Sequence, residues 1–172
     1  MRNLALTFVA WMLLAGTALA MDIDKGFNDI PWGADCDAAF RGEGWTRYRA
    51  FPLWDNKTQY LTLSMDDKDA AKTKYTLRYN KDGKTKFEDF TLRAVYYGCG
   101  KTSGKFAFVA MRYSLTSKAK IEARAVALFG KPTRTTVAAT TWDLPAFKVQ
   151  MDQNTLIILA RKYAESGTGQ AD

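Results

Sequence analysis

Between residues 60 and 65 the chain alternates without a break: Leu61, Leu63 and Met65 fall on one side, Tyr60, Thr62 and Ser64 on the other. That period of two is the mark of a half-buried strand. The segment 75–79 repeats it, with Tyr75, Leu77 and Tyr79 expected inward and Thr76 and Arg78 outward. Asn80-Lys81-Asp82-Gly83 then supplies turn residues that tolerate positive φ. A third strand is expected over 87–97 and a fourth over 106–113, joined by the glycine-rich stretch 98–104, so that three to four consecutive strands form an antiparallel meander.

The period changes to 3.6 over about 117–129, where Ile121, Ala125, Leu128 and Phe129 share one helix face. Thr116 or Ser117 is placed to cap its start, Gly130 to close it, and Pro132 to prevent its continuation. A shorter N-terminal helix is expected over 36–41 behind Asp35 as N-cap, ended by Gly42 and Gly44. Segments 147–151 and 155–163 read as a hairpin about Asp152-Gln153-Asn154. The expected class is α+β: an antiparallel meander sheet with one main helix and a short N-terminal one. A loose rhythm of helix followed by strands occurs twice, although residue identity between the halves is too low to mark a repeat.

The N-terminus reads differently. Arg2 precedes an apolar run over 4–14, and Ala18-Leu19-Ala20 offers small side chains at both positions a signal peptidase inspects. The apolar core is well short of the roughly 20 residues that span a bilayer. Residues 1–20 are therefore expected to be a cleaved signal peptide, 21–164 a single globular domain without a transmembrane segment, and 165–172 a polar, disordered tail. The expected location is periplasmic or secreted.

Export changes the reading of the two cysteines. In an oxidising compartment a Cys36–Cys99 disulfide is the default, with a free thiol or an intermolecular bond as the alternatives. Charge is uneven: residues 21–70 hold 6 basic and 10 acidic side chains, 71–134 hold 15 and 4, and 135–172 hold 3 and 4. The middle of the chain is the candidate basic surface, against the plainer reading of a solvated Lys/Arg face. Its strongest candidate is Arg78, whose planar fork grips a carboxylate or phosphate in two hydrogen bonds, with Lys74, Lys105 and Lys118 projecting or flanking.

Ile30-Pro31-Trp32-Gly33-Ala34-Asp35 and Leu128-Phe129-Gly130-Lys131-Pro132-Thr133 resemble segments of small exported bacterial envelope proteins of α+β type, BamE-like in build. The resemblance implies a non-catalytic protein working through contacts in the cell envelope. The chain departs from the lipoprotein pattern at Met21, where the acceptor Cys would stand.

Chemistry is read mostly by exclusion. The chain has no His, which removes Ser-His-Asp and Cys-His hydrolases and His-ligated metals. The run Gly98-Cys99-Gly100-Lys101-Thr102-Ser103-Gly104 ends like a phosphate loop but has Val95 where the first Gly belongs, so it reads as a hairpin loop. Asp66, Asp67 and Asp69 form the densest carboxylate cluster, yet Ala71 and Leu77 stand where an EF-hand needs Gly and Glu. Trp32, Trp45, Trp54 and Trp142 read as core residues. No catalytic residue, metal or cofactor is expected. Carboxylates distant in sequence could still converge. The expected function is a soluble interaction protein, such as an inhibitor or immunity partner of a secreted enzyme or toxin. The alternative is an envelope module resting a basic sheet face on anionic lipid or cell-wall polymer. The expected partner is an acidic protein or an anionic envelope component, not nucleic acid.

Overall fold

The computed structural model describes residues 22–42, 44–48, 51–55, 60–64, 75–80, 86–87 and 90–164. In chain order its elements are β1 (Gly26–Phe27), β2 (Ile30–Pro31), α1 (Cys36–Ala39), β3 (Trp45–Tyr48), β4 (Phe51–Asp55), β5 (Tyr60–Ser64), β6 (Tyr75–Asn80), β7 (Lys86–Phe87), β8 (Phe90–Thr91), β9 (Ala94–Gly100), β10 (Phe106–Arg112), α2 (Lys118–Phe129), β11 (Arg134–Thr135), β12 (Thr140–Asp143), β13 (Phe147–Met151) and β14 (Thr155–Ala160). Eight strands form one antiparallel sheet in the order β11-β12-β13-β14-β10-β9-β6-β3, and three two-stranded hairpins, β1–β2, β4–β5 and β7–β8, stand apart from it. The protein is thus mostly antiparallel sheet with one main helix.

Strand alternation divides the core in two. On the first face Val95, Tyr97, Cys99, Phe106, Val109, Met111, Val149, Leu156 and Ile158 meet Ile121, Ala125 and Phe129 of α2 and Phe27, Trp32 and Phe40 of the N-terminal segment. On the second, Tyr75, Leu77, Phe108, Ala110, Ile157 and Leu159 cluster. A strict period of two would put Phe106 and Phe108 on one face. A register shift between them adds Ala107 as an extra residue, and the two rings point to opposite cores. Gly98, paired with Phe108, is required there because a Cβ at this position would overlap the Phe108 ring.

The helix α2 follows its apolar stripe. Ile121, Ala125 and Phe129 are buried at i, i+4 and i+8, and burial of Ile121 and Phe129 contributes about 1.5–3 kcal/mol each. Gly130 ends the helix at φ 77°, a conformation open to glycine, and its N–H reaches the Val126 carbonyl. The Trp142 indole N–H donates to the Gly130 carbonyl at 2.8 Å, fixing the exit against β12. The entry departs from expectation. Ser117 makes no side-chain cap bond; the chain enters through a 3-10 turn, Leu115–Ser117, while the Ser114 hydroxyl bonds those of Thr116 and Ser117.

Other boundaries also shift. The four-residue α1 stops at Ala39, short of the expected 41, because Phe40 leaves helical geometry to pack on Trp45, Tyr97 and Phe106. The strand expected over 87–97 is broken into β7, β8 and β9. The segment over 60–65 does not join the meander: β5 pairs with β4 alone. At the C-terminal hairpin, β14 ends at Ala160, and Arg161–Tyr163 is a 3-10 turn. The expected signal peptide (1–20) and tail (165–172), the Asp66–Asp67–Asp69 cluster and Lys74 lie outside the described residues.

Candidate interaction surface

Cys36 and Cys99 are disulfide-bonded, with their Cα atoms 6.2 Å apart across 63 positions. Backbone bonds place the bridge: Gly33 N–H donates to Phe106 O, Phe106 N–H to Ala34 O, and Cys36 N–H to Gly104 O. The N-terminal segment is thereby clipped onto the β9–β10 loop, and Asp35 caps α1 by accepting from the Ala38 N–H at 2.9 Å.

This clip overturns the expected exposure of Arg78. Its parity is as expected, opposite Tyr75 and Leu77, but that side of β6 is the first core face, adjacent in register to Tyr97. Phe40 and Trp45 pack on Tyr97, and Arg78, paired with Tyr97 in register, has a side-chain exposure of 8%. Its Nη2 donates to Asp37 Oδ1 at 2.7 Å, while Nη1 is buried without a hydrogen-bond partner. A buried charge of this kind persists through such pairing. Arg78 is a tether for α1, and its fork does not face solvent.

Lys105 and Lys118 do not share a face either. Lys105 is half-buried at the start of β10, where its residue bridges Asp35. Lys118 opens α2 beyond the other end of the same strand. Seven residues of β10 at about 3.3 Å each separate these ends by roughly 20 Å. The expected basic face over Lys74, Arg78, Lys105 and Lys118 is therefore not assembled from the three described members.

A different grouping stands at the Lys118 end. Thr140, Met151, Leu156, Met111 and Val95 form one row across five strands. Beyond that row lie the turn at 136–139, the turn at 152–154, the 3-10 turn Leu115–Ser117 and Arg93. The Tyr113 N–H donates to the Asn154 carbonyl at 2.9 Å and its hydroxyl to the Asp152 carbonyl at 2.7 Å, tying two of these loops together. Asp152 closes its own turn by accepting from the N–H groups of Asn154 and Thr155. In the turn at 136–139, Thr136 N–H donates to the Ala139 carbonyl, and the Thr136 hydroxyl both donates to that carbonyl and accepts from the Ala139 N–H. The tip so locked holds Val137 fully exposed, and Leu115 is 65% exposed nearby on the same end.

Neither residue belongs to a periodic pattern. Each is a lone large aliphatic among small or hydroxyl-bearing neighbours, Ser114-Leu115-Thr116 and Thr136-Val137-Ala138. That isolation is the one signal in the sequence that could have singled them out.

The titratable groups shifted by burial stand apart: Tyr97 on β9, Tyr113 just past β10 and Lys148 on β13. Burial raises the Tyr97 phenol, partly offset by the hydrogen bond from Asn28, and raises the Tyr113 phenol further; burial also lowers the Lys148 ammonium. Among the described residues no three His, Cys, Asp or Glu side chains converge as a metal site, and no helix is long and apolar enough to cross a membrane. No family model matches the chain, and no match is found among curated proteins or solved structures.

Proposed function

We propose that this chain is an exported, non-catalytic interaction protein of an oxidising compartment, periplasmic or extracellular, akin in build to the small BamE-like envelope proteins. It would act as an inhibitor or immunity partner, or as another envelope component engaging an anionic partner. The observation that carries this reading is the locked tip at 136–139. Three hydrogen bonds hold a fully exposed Val137 in one conformation, and a contact presented rigidly loses little entropy on association. The Cys36–Cys99 bridge supports the compartment, since such bonds persist where thiols are not kept reduced.

The test is comparative capture from an envelope extract on immobilised wild-type protein and on Val137→Asp. The substitution touches no core residue, so thermal stability should move by less than about 0.5 kcal/mol. A partner retained by wild type and lost on the variant supports the reading. Retention of the same partners by both proteins would move the binding surface away from this tip.

A further inference from the structure

The loop-bearing end of the sheet carries more than one exposed aliphatic. Val137 precedes β12 and Leu115 follows β10, three strand positions apart in the sheet order. At about 4.8 Å per strand that is roughly 14 Å. Arg93 and Arg112 stand on this end together, because the Arg93 N–H donates to the Arg112 carbonyl at 2.7 Å. Lys118 and Lys120 occupy the first turn of α2 just beyond Leu115. Arg93, Arg112 and Lys120 are exposed and Lys118 half-buried. None of the four has an ion-pair partner among the described residues. The acidic groups described here are Asp152, whose carboxylate is engaged by its own turn, and Glu122, half-buried further along α2.

We infer that this end docks on the surface of an anionic lipid bilayer, with Val137 and Leu115 entering the headgroup boundary and Arg93, Arg112, Lys118 and Lys120 meeting lipid phosphates. The inference rests on the proposed function and names the partner class for the same surface. Two features favour a bilayer over a protein. A protein interface of ordinary size surrounds one contiguous apolar centre with a polar rim. Here the aliphatics are separate projecting points with the β13–β14 turn between them and the cations gathered on the Leu115 side, and a bilayer boundary accommodates projecting points independently. The charge is also predominantly basic, with Arg93, Arg112, Lys118 and Lys120 against Asp152 and Glu122, which suits an anionic surface that attracts each nearby Lys or Arg.

Co-sedimentation of the exported, purified chain with vesicles tests this, using equimolar phosphatidylglycerol and phosphatidylcholine against phosphatidylcholine alone. Wild type should sediment with the anionic vesicles only, and less so as salt shortens the screening length. Lys118→Glu with Lys120→Glu should weaken binding at least about tenfold, and Leu115→Ser with Val137→Ser by about tenfold. Circular dichroism and thermal melts should match wild type. If the first pair perturbs the entry to α2, Arg93→Ala with Arg112→Ala supplies the same loss of charge without touching the helix. Equal binding to both vesicle types, or anionic binding unchanged in every variant, would overturn the inference. No vesicle binding together with loss of a captured acidic protein on Val137→Asp would also overturn it, while leaving the proposed function standing.

Discussion

The half of the sheet built from β3, β6, β9 and β10 and the half built from β11 to β14 share one topology. In each, the last strand lies at the centre and the earlier ones follow outward, and each half is preceded by a helix. The paired central strands β10 and β14 relate the halves as an approximate two-fold. They are secured by different means. The twelve-residue α2 buries three residues of its stripe, whereas α1 has four residues and buries only Cys36. A single helical turn is too short to be stable alone, so the first half holds α1 with a disulfide, an Asp35 cap and the Asp37–Arg78 bond. Where an element lacks apolar area, discrete bonds take over its placement.

Removing those bonds one at a time should separate the halves. Cys36→Ser with Cys99→Ser carries the largest expected effect, about 4 kcal/mol in the chain-entropy account of a loop of this length. Urea unfolding measures it, and hydrogen exchange should accelerate over 36–40 more than in α2. A loss below about 1 kcal/mol would mean that the aromatic packing of Phe40 and Trp32 holds α1 without the bridge.

On the other half, Phe129→Ala should cost about 3 kcal/mol, because it opens a cavity against Trp142 and Ile121. Its signature is the reverse exchange pattern, with α2 amides exposed ahead of α1. Equal acceleration in both helices would show that the halves unfold as one unit and that their difference is local geometry only.

The Arg78 tether distinguishes a lost partner from a lost pair. Asp37→Asn should cost about 1 kcal/mol, discounted because the carboxylate is largely exposed, and it leaves the guanidinium buried. Arg78→Met removes the charge altogether and should be close to neutral. If Arg78→Met proves the costlier change by thermal melting, the arginine contributes packing beyond its bond to Asp37.

The smallest effect at neutral pH belongs to Tyr113, which ties the loop end together. Burial raises its phenol above the ordinary value of 10.0, and Tyr97 is raised likewise. The native state thus holds these protons more tightly than the unfolded chain. Their contribution is complete below pH 10 and is lost as pH rises above it through the native values. Tyr113→Phe should lower the melting temperature modestly and evenly at pH 7 to 9, through loss of the bond to the Asp152 carbonyl, and should flatten the further fall above pH 10. An unaltered alkaline slope would assign the fall to Tyr97 or to other groups.

Much of the fold was legible from local pattern. Leu61 and Leu63 marked a strand, Ile121, Ala125 and Phe129 marked the helix, and Gly130 with Pro132 marked its end, since these depend on periods and dihedral limits within a few residues. The two cysteines of a chain expected to be exported likewise anticipated the bridge. The candidate surface was far less legible. Parity placed Arg78 opposite Tyr75 and Leu77, but whether that opposite side met water depended on α1 folding back from 41 positions away. Lys105 and Lys118 are near neighbours in a charge count and stand at opposite ends of β10.

By itself, then, the sequence determined the strand at 60–64, the main helix with its glycine stop and the pairing of the two thiols, because each of these is decided by neighbouring residues or by a choice with few alternatives. Tertiary structure alone decided that both faces of β6 are covered, that a bulge at Ala107 sends Phe106 and Phe108 to opposite cores, and that Leu115 and Val137 share one end of the sheet. Those outcomes depend on long-range strand order and register, and a shift of one residue in register reverses every side chain that follows.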